Sequence, residues 1–131
     1  MAEFQKPKHG EICWQELNTK NLGAATAFYK GLFGWKLEQA KTTEMPYQEI
    51  HVNEKAVGGM MEINDCWGEN WEKTPSAWMT YIAVDDIAES IEKIKKHGGS
   101  IRVEPFDAPG VGKMSVVLDP SGIAFSVIQF T

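Results

Sequence analysis

The chain has 131 residues, 43% of them hydrophobic and 24% charged, with a formal net charge of −5. That balance belongs to a globular chain long enough to bury a core without disulfides or a structural metal. The acidic charge argues against nucleic acid or an anionic membrane as a partner, and no apolar run approaches the roughly 20 residues that span a bilayer.

Residues 1–10 are polar and mixed in charge, without the apolar core of a signal peptide. Cys13 and Cys66 are too few for a disulfide framework and lack metal-site spacing, so a reducing, cytoplasmic setting is expected. Residues 11–17 read as a strand. Asn21 then offers an N-cap to a helix predicted over 22–33, which places Leu22, Ala25, Phe28, Tyr29 and Leu32 on one face and closes at Gly34. Alternating, strand-like runs follow at 35–39, 47–52 and 57–63. Residues 64–77, with Trp67, Trp71 and Pro75, have the length of a crossover connection.

The pattern then starts again. Residues 78–84 read as a strand, and Asp86 caps a helix predicted over 88–96 with Ile87, Ser90, Ile91 and Ile94 on one face. Gly99 is expected to close that helix, and strands are predicted at 100–104, 114–119 and 124–130. Asn21 and Asp86 are 65 residues apart, as are Gly34 and Gly99. An offset near half the chain marks an internal repeat. Each half reads β-α-β-β-β, giving an α+β fold: module one about 10–63, a linker 64–77, and module two 78–130, all in one domain. The loop 106–113 lacks the spacing of a phosphate-binding loop and is either a connection or a lid. Residues 89–96 alternate in charge, as a solvated helix face does.

Several motifs, taken in order, resemble the vicinal-oxygen-chelate (glyoxalase/bleomycin-resistance/dioxygenase) superfamily. They are Asn21-Leu22, Phe28-Tyr29, Leu32-Phe33-Gly34-Trp35, Val57-Gly58-Gly59-Met60-Met61, Val84-Asp85-Asp86-Ile87 with Gly98-Gly99, and Leu118-Asp119-Pro120-Ser121-Gly122. The first strand, Cys13-Trp14-Gln15-Glu16-Leu17, is similar to the branch described as related to lactoylglutathione lyase. The resemblance implies that the two modules curl into a U-shaped, half-open sheet. In metal-dependent members, four side chains from the first and last strands of each module hold one divalent cation. Carried onto this sequence, those positions fall on Trp14, Glu62, Met79 and Ser126.

Only Glu62 of the four is a usual ligand. Indole has no lone pair to give, a thioether is too soft, and a serine hydroxyl binds weakly. A register shift of two brings in Glu16 and Tyr81, and Glu16 with Glu62 would make a two-carboxylate site without a histidine. His9 and His97 lie at a strand entry and a helix end, while His51 lies in a middle strand with Glu49. The expectation is therefore no metal cofactor; the alternative is a divalent cation such as Ni, Zn, Mn, Fe or Mg. The implied cup would be lined by Trp14, Glu16, Met79, Tyr81 and Ser126, with Trp67 and Trp71 near its mouth, and would bind a small organic molecule. For each tryptophan the alternative is plain packing. Glu62 is either a buried acid/base or a solvated strand-end carboxylate. Three functions stay open: a binding protein, a lyase, isomerase or dioxygenase, and an interaction module. Homodimerisation is expected, because eight strands leave edges and apolar faces to cover.

Overall fold

The computed structural model describes residues 6–41 and 46–131. Its elements run β1 (Ile12–Thr19), α1 (Leu22–Phe33), β2 (Lys36–Gln39), β3 (Tyr47–Val52), β4 (Lys55–Glu62), β5 (Ala77–Ala83), α2 (Ile87–Lys96), β6 (Ser100–Ala108), β7 (Gly112–Leu118) and β8 (Ala124–Phe130). Two single-turn 3-10 helices, Asp65–Trp67 and Trp71–Lys73, lie between β4 and β5. The expected β-α-β-β-β order is present twice. No helix among the described residues is long and apolar enough to cross a membrane.

The chain divides into two compact units. One is Trp14–Met79, and the other is Thr80–Thr131 together with the residues up to Cys13. In the first unit the strand order is β2-β3-β4-β1, antiparallel except for the β4–β1 pair. Leu17, Ile50 and Met60 form its buried centre, with Leu22, Ala25, Tyr29, Trp35, Leu37 and Val52 packed against them. In the second unit the order is β6-β7-β8-β5, again with only the last pair parallel. There Val84, Ile87, Ile91, Val117 and Val127 are buried, with Ile94, Ile101 and Phe125 around them. In both units the helix covers one face of its sheet and leaves the other to the strands' alternate side chains.

The helix ends follow the sequence logic closely. Asn21 accepts from the Ala24 N–H at 2.9 Å, and Asp86 accepts from the Glu89 N–H at 3.1 Å. Gly34 closes α1 in the left-handed conformation, with φ 68°. In the second module the left-handed glycine is Gly98, with φ 93°, and not the expected Gly99. The loop expected at 106–113 is also corrected. β6 continues through Phe106 and Asp107 to Ala108, which pairs with Gly112, and Val111 N–H bonds back to Ala108 at 3.0 Å. Of the two readings, connection or lid, the structure shows the connection, a tight hairpin. Register shifts on either side of Val103 let β6 run past Pro105, which a regular ladder would reject.

Candidate site on the open face of the first module

Strand alternation sorts the candidates before any contact is considered. In the β1–β4 ladder Glu16 lies opposite Gly59, Asn18 opposite Met61, and Thr19 opposite Glu62. Leu17 and Met60 point into the core under α1. Trp14, Glu16 and Asn18 therefore share the face away from α1 with Gly59 and Met61, whereas Glu62 lies on the helix side. The two-carboxylate pairing of Glu16 with Glu62 does not form, because the side chains leave the sheet on opposite faces.

Glu62 has a different partner. Its Oε1 accepts from the Leu22 N–H at 3.2 Å, at the start of α1. This backbone donor has no intrahelical acceptor, so the carboxylate satisfies it and complements the positive end of the helix. Gln129 does the same for α2, accepting from the Ile87 N–H at 2.8 Å. The two helix starts are 65 residues apart and their acceptors 67, so the repeat counterpart of Glu62 is Gln129. Ser126, opposite Tyr81 in the β5–β8 ladder, is the counterpart of Gly59, opposite Glu16 in β1–β4. The expected equivalence of Glu62 with Ser126 was displaced by three residues.

On the open face the structure joins three side chains. The Trp14 indole Nε1–H donates to the Tyr47 hydroxyl at 2.8 Å, and that hydroxyl donates to Glu16 Oε2 at 2.8 Å. Trp14 is half-buried and Glu16 only 6% exposed. Tyr47 starts on β3 opposite Met61, and its ring crosses β4 to reach β1. The crossing depends on Gly59. A Cβ built there would lie 2.1 Å from the Tyr47 hydroxyl oxygen and 2.3 Å from the ring carbon that carries it. Tyr47 was not among the residues singled out from sequence. Its signal was the glycine pair inside a predicted strand, which marks a close approach of other atoms.

The remaining candidates are dispersed. Trp67 and Trp71 are half-buried in the two 3-10 turns, and neither joins the Trp14–Tyr47–Glu16 relay. Met79 is half-buried near the start of β5. In the second unit Tyr81 is 7% exposed and Ser126 fully buried. The Tyr81 carbonyl accepts from the Cys13 thiol at 3.5 Å, and burial pushes that thiol above its ordinary pKa. Trp78 and Trp35 belong to a packing cluster. The Tyr29 and Trp35 rings stack 5.3 Å apart, and Trp78 meets both edge-on while donating to the Tyr29 hydroxyl at 3.3 Å. His51 stands 3.2 Å from Glu49 and 3.5 Å from Glu38, apart from the relay.

A family model described as "Glyoxalase/Bleomycin resistance protein/Dioxygenase superfamily" matches residues 11–127. The chain belongs to this superfamily. CFP32 of Mycobacterium tuberculosis, provisionally named a glyoxylase, is 32% identical over 98% of this chain and 49% of its own length. DnrV, an anthracycline biosynthesis protein of Streptomyces peucetius, is 29% identical over 90% of this chain and 46% of its own. The chain thus spans about half the length of these curated relatives. Among solved structures, methylmalonyl-CoA epimerase from Mycobacterium tuberculosis has a TM-score of 0.61 at 12% identity, covering 93% of this chain and 88% of that one. At that identity the likeness establishes the glyoxalase/bleomycin-resistance fold alone.

The superfamily's divalent cation can be tested against the residues present. With the register corrected, its four positions carry Trp14, Gly59, Met79 and Ser126: an indole, no side chain, a thioether and a hydroxyl. None is a usual ligand for a hard or borderline cation. Among the described residues no three His, Cys, Asp or Glu side chains gather as a metal site would require. The donor set does not fit the metal.

Proposed function

We propose that this chain is a small-molecule-binding member of the superfamily that works without a metal, on the open face of its first module. The observation that carries the reading is the Trp14–Tyr47–Glu16 relay, an aromatic surface with a buried hydrogen-bonded carboxylate where a cation would otherwise require ligands. Met79, Tyr81, Ser126, Trp67 and Trp71 remain candidates for further lining. The setting proposed is cytoplasmic.

The test is a thermal melt with and without millimolar Ni, Zn, Mn and Mg, alongside calorimetry with aromatic small molecules. A cation at a hundred times its dissociation constant would add about 2.7 kcal/mol of stability. No shift with metal, and binding of aromatic probes that Trp14→Ala removes, is the expected result. A rise of several degrees with one metal, abolished by Glu16→Gln, would return the protein to the metal-dependent class.

A second reading, an enzyme of the lyase, isomerase or dioxygenase kind, draws on Glu16. A carboxylate 6% exposed and hydrogen-bonded to a phenol has the setting of a general acid or base. For that role Glu16 is better placed than Glu62, whose carboxylate is engaged at the start of α1.

We also infer that the chain forms homodimers. α1 exposes Phe28 and Leu32 by 60% and 58%, a pair one helical turn apart on an unusually apolar helix. Light scattering that gives the 14.7 kDa monomer mass throughout the micromolar range would refute this.

A further inference from the structure

The first module carries a second concave surface, away from the relay, where α1 ends and the β3–β4 turn stands beside β2. It is a cleft of about 420 Å³, within the size range of small-molecule sites. One wall is aromatic. Phe33 and Trp35 stack with centroids 5.2 Å apart, and Trp35 stacks in turn on Tyr29, so the rings are held in place before any ligand arrives. Phe33 is nonetheless 58% exposed, which leaves its ring available to a ligand. The polar lining includes Lys36, Glu38, His51 and Glu54. Lys36 pairs with Glu38 at 3.4 Å, and His51 lies 3.5 Å from Glu38 and 3.2 Å from Glu49. Three carboxylates therefore meet one lysine and one histidine, and the group stays negative whether or not His51 is protonated. The Glu54 carboxylate has no hydrogen-bond or ion-pair partner among the described residues.

The turn beside the cleft is strained in a way that bears on Glu54. Val52 pairs with Lys55, so Asn53 and Glu54 alone make the turn, both left-handed with φ 51° and 66°. Asparagine tolerates that conformation and glycine suits the second position best, whereas a glutamate there is strained. The side chain of Glu54 is thus held at the cleft in a backbone conformation that glycine would relieve. We propose that this cleft is a binding site for a small organic ammonium ion, seated on the Phe33 ring and opposed by Glu38 and Glu54. The net charge of the lining disfavours anions, and the aromatic wall decides between cations. A hard metal ion requires oxygens on all sides, whereas an alkylammonium is drawn to a ring face as well as to a carboxylate. No three His, Cys, Asp or Glu side chains gather as a metal site among the described residues. The cleft is separate from the proposed binding face, so the two readings stand or fall independently.

NMR titration at neutral pH with three probes of similar shape tests the site: choline, its neutral counterpart 3,3-dimethylbutan-1-ol, and the anion 3,3-dimethylbutanoate. Choline should move the His51 ring and Trp35 indole resonances and leave the Trp14 indole N–H in place. It should bind about fivefold or more tighter than the neutral alcohol, and the anion should not bind measurably. Phe33→Ala and Glu54→Gly should each weaken choline about threefold or more. Glu54→Gly should also leave the melting midpoint unchanged or raise it, because it relieves the turn, so its loss of binding is not a loss of fold. The site is overturned if the alcohol binds as tightly as choline, if Glu54→Gly binds choline like the unaltered protein, or if choline moves Trp14 in place of Trp35. Magnesium chloride that moves the His51 and Trp35 resonances where choline does not would make it an inorganic cation site instead. Resonances unmoved by choline at tens of millimolar would also refute it.

Discussion

The two modules share an order of elements but use their helices differently. α2 is strongly amphipathic. It buries Ile87, Ser90 and Ile91, and turns outward Glu89, Glu92, Lys93, Lys95 and Lys96, with Lys93 bridging Glu89 at 3.1 Å. α1 has a single charged residue, Lys30, buries none of its twelve residues, and exposes Phe28, Leu32 and Phe33. The strands differ in the same sense. Where the second module pairs Tyr81 with a fully buried Ser126, the first pairs a buried carboxylate with a bare glycine and lays Tyr47 across it. The second module buries the apolar face of α2 against its sheet and turns the charged face outward. The first keeps a polar device on one face and an uncovered apolar helix on the other. In a duplicated fold, each copy is the natural control for the other.

That contrast can be broken at the helices. Ile91→Ala removes a side chain 6% exposed from the second core and should cost about 2–4 kcal/mol, read as a lower midpoint in denaturant. Phe28→Ala, one helix earlier in the repeat, should change monomer stability by less than about 0.5 kcal/mol. Its effect should appear in association instead, as a weaker dimer by light scattering. A large loss of stability from Phe28→Ala in dilute monomer would mean that the α1 surface is covered within the chain.

A smaller effect should sharpen the comparison by showing where the modules agree. Glu62→Ala and Gln129→Ala each remove the acceptor for the first N–H of a helix. Each should cost about 0.5–2 kcal/mol, the range of a lost cap, and the costs should add because the sites are independent. If Glu62→Ala abolished binding of aromatic probes at unchanged stability, Glu62 would belong to the binding face after all.

The smallest expected effect lies in the second module's last turn. Asp119 Oδ1 accepts from Ser121 Oγ, Ser121 N–H and Ile123 N–H at 2.7, 2.8 and 3.0 Å. The Ser121 hydroxyl first, then the backbone donors, hold its carboxyl below the usual value. A depressed folded pKa favours the folded state above the unfolded carboxyl pKa, and that contribution disappears as pH falls through the folded one. Asp119→Asn should therefore lower stability slightly near neutrality and flatten the acid limb of the profile. An unchanged acid limb would show that these bonds do not discriminate between the charged and neutral carboxyl.

Much of this architecture was legible in the residues. α1 and β3 occupy their predicted spans, as does β8, and α2 begins one residue early. Caps, helical spacing and alternation act within a few residues, so a single segment carries the information. The errors share a cause. Gly98 replaced Gly99, β6 outran its prediction, and the last-strand equivalence slipped by three, each at a place where residue count depends on a turn or a bulge that neighbouring strands decide. One such slip reverses which face a side chain occupies, and it moved Glu62 from the open face to the start of α1.

By itself, the sequence determined the duplicated β-α-β-β-β order and the capped helices, because spacing and residue chemistry suffice for those. Only the tertiary structure decided that Glu16, Tyr47 and Trp14 meet. They come from two strands that are not neighbours, and Tyr47 reaches Glu16 only by crossing β4 at Gly59, whose missing side chain has meaning once the ladder registers are known.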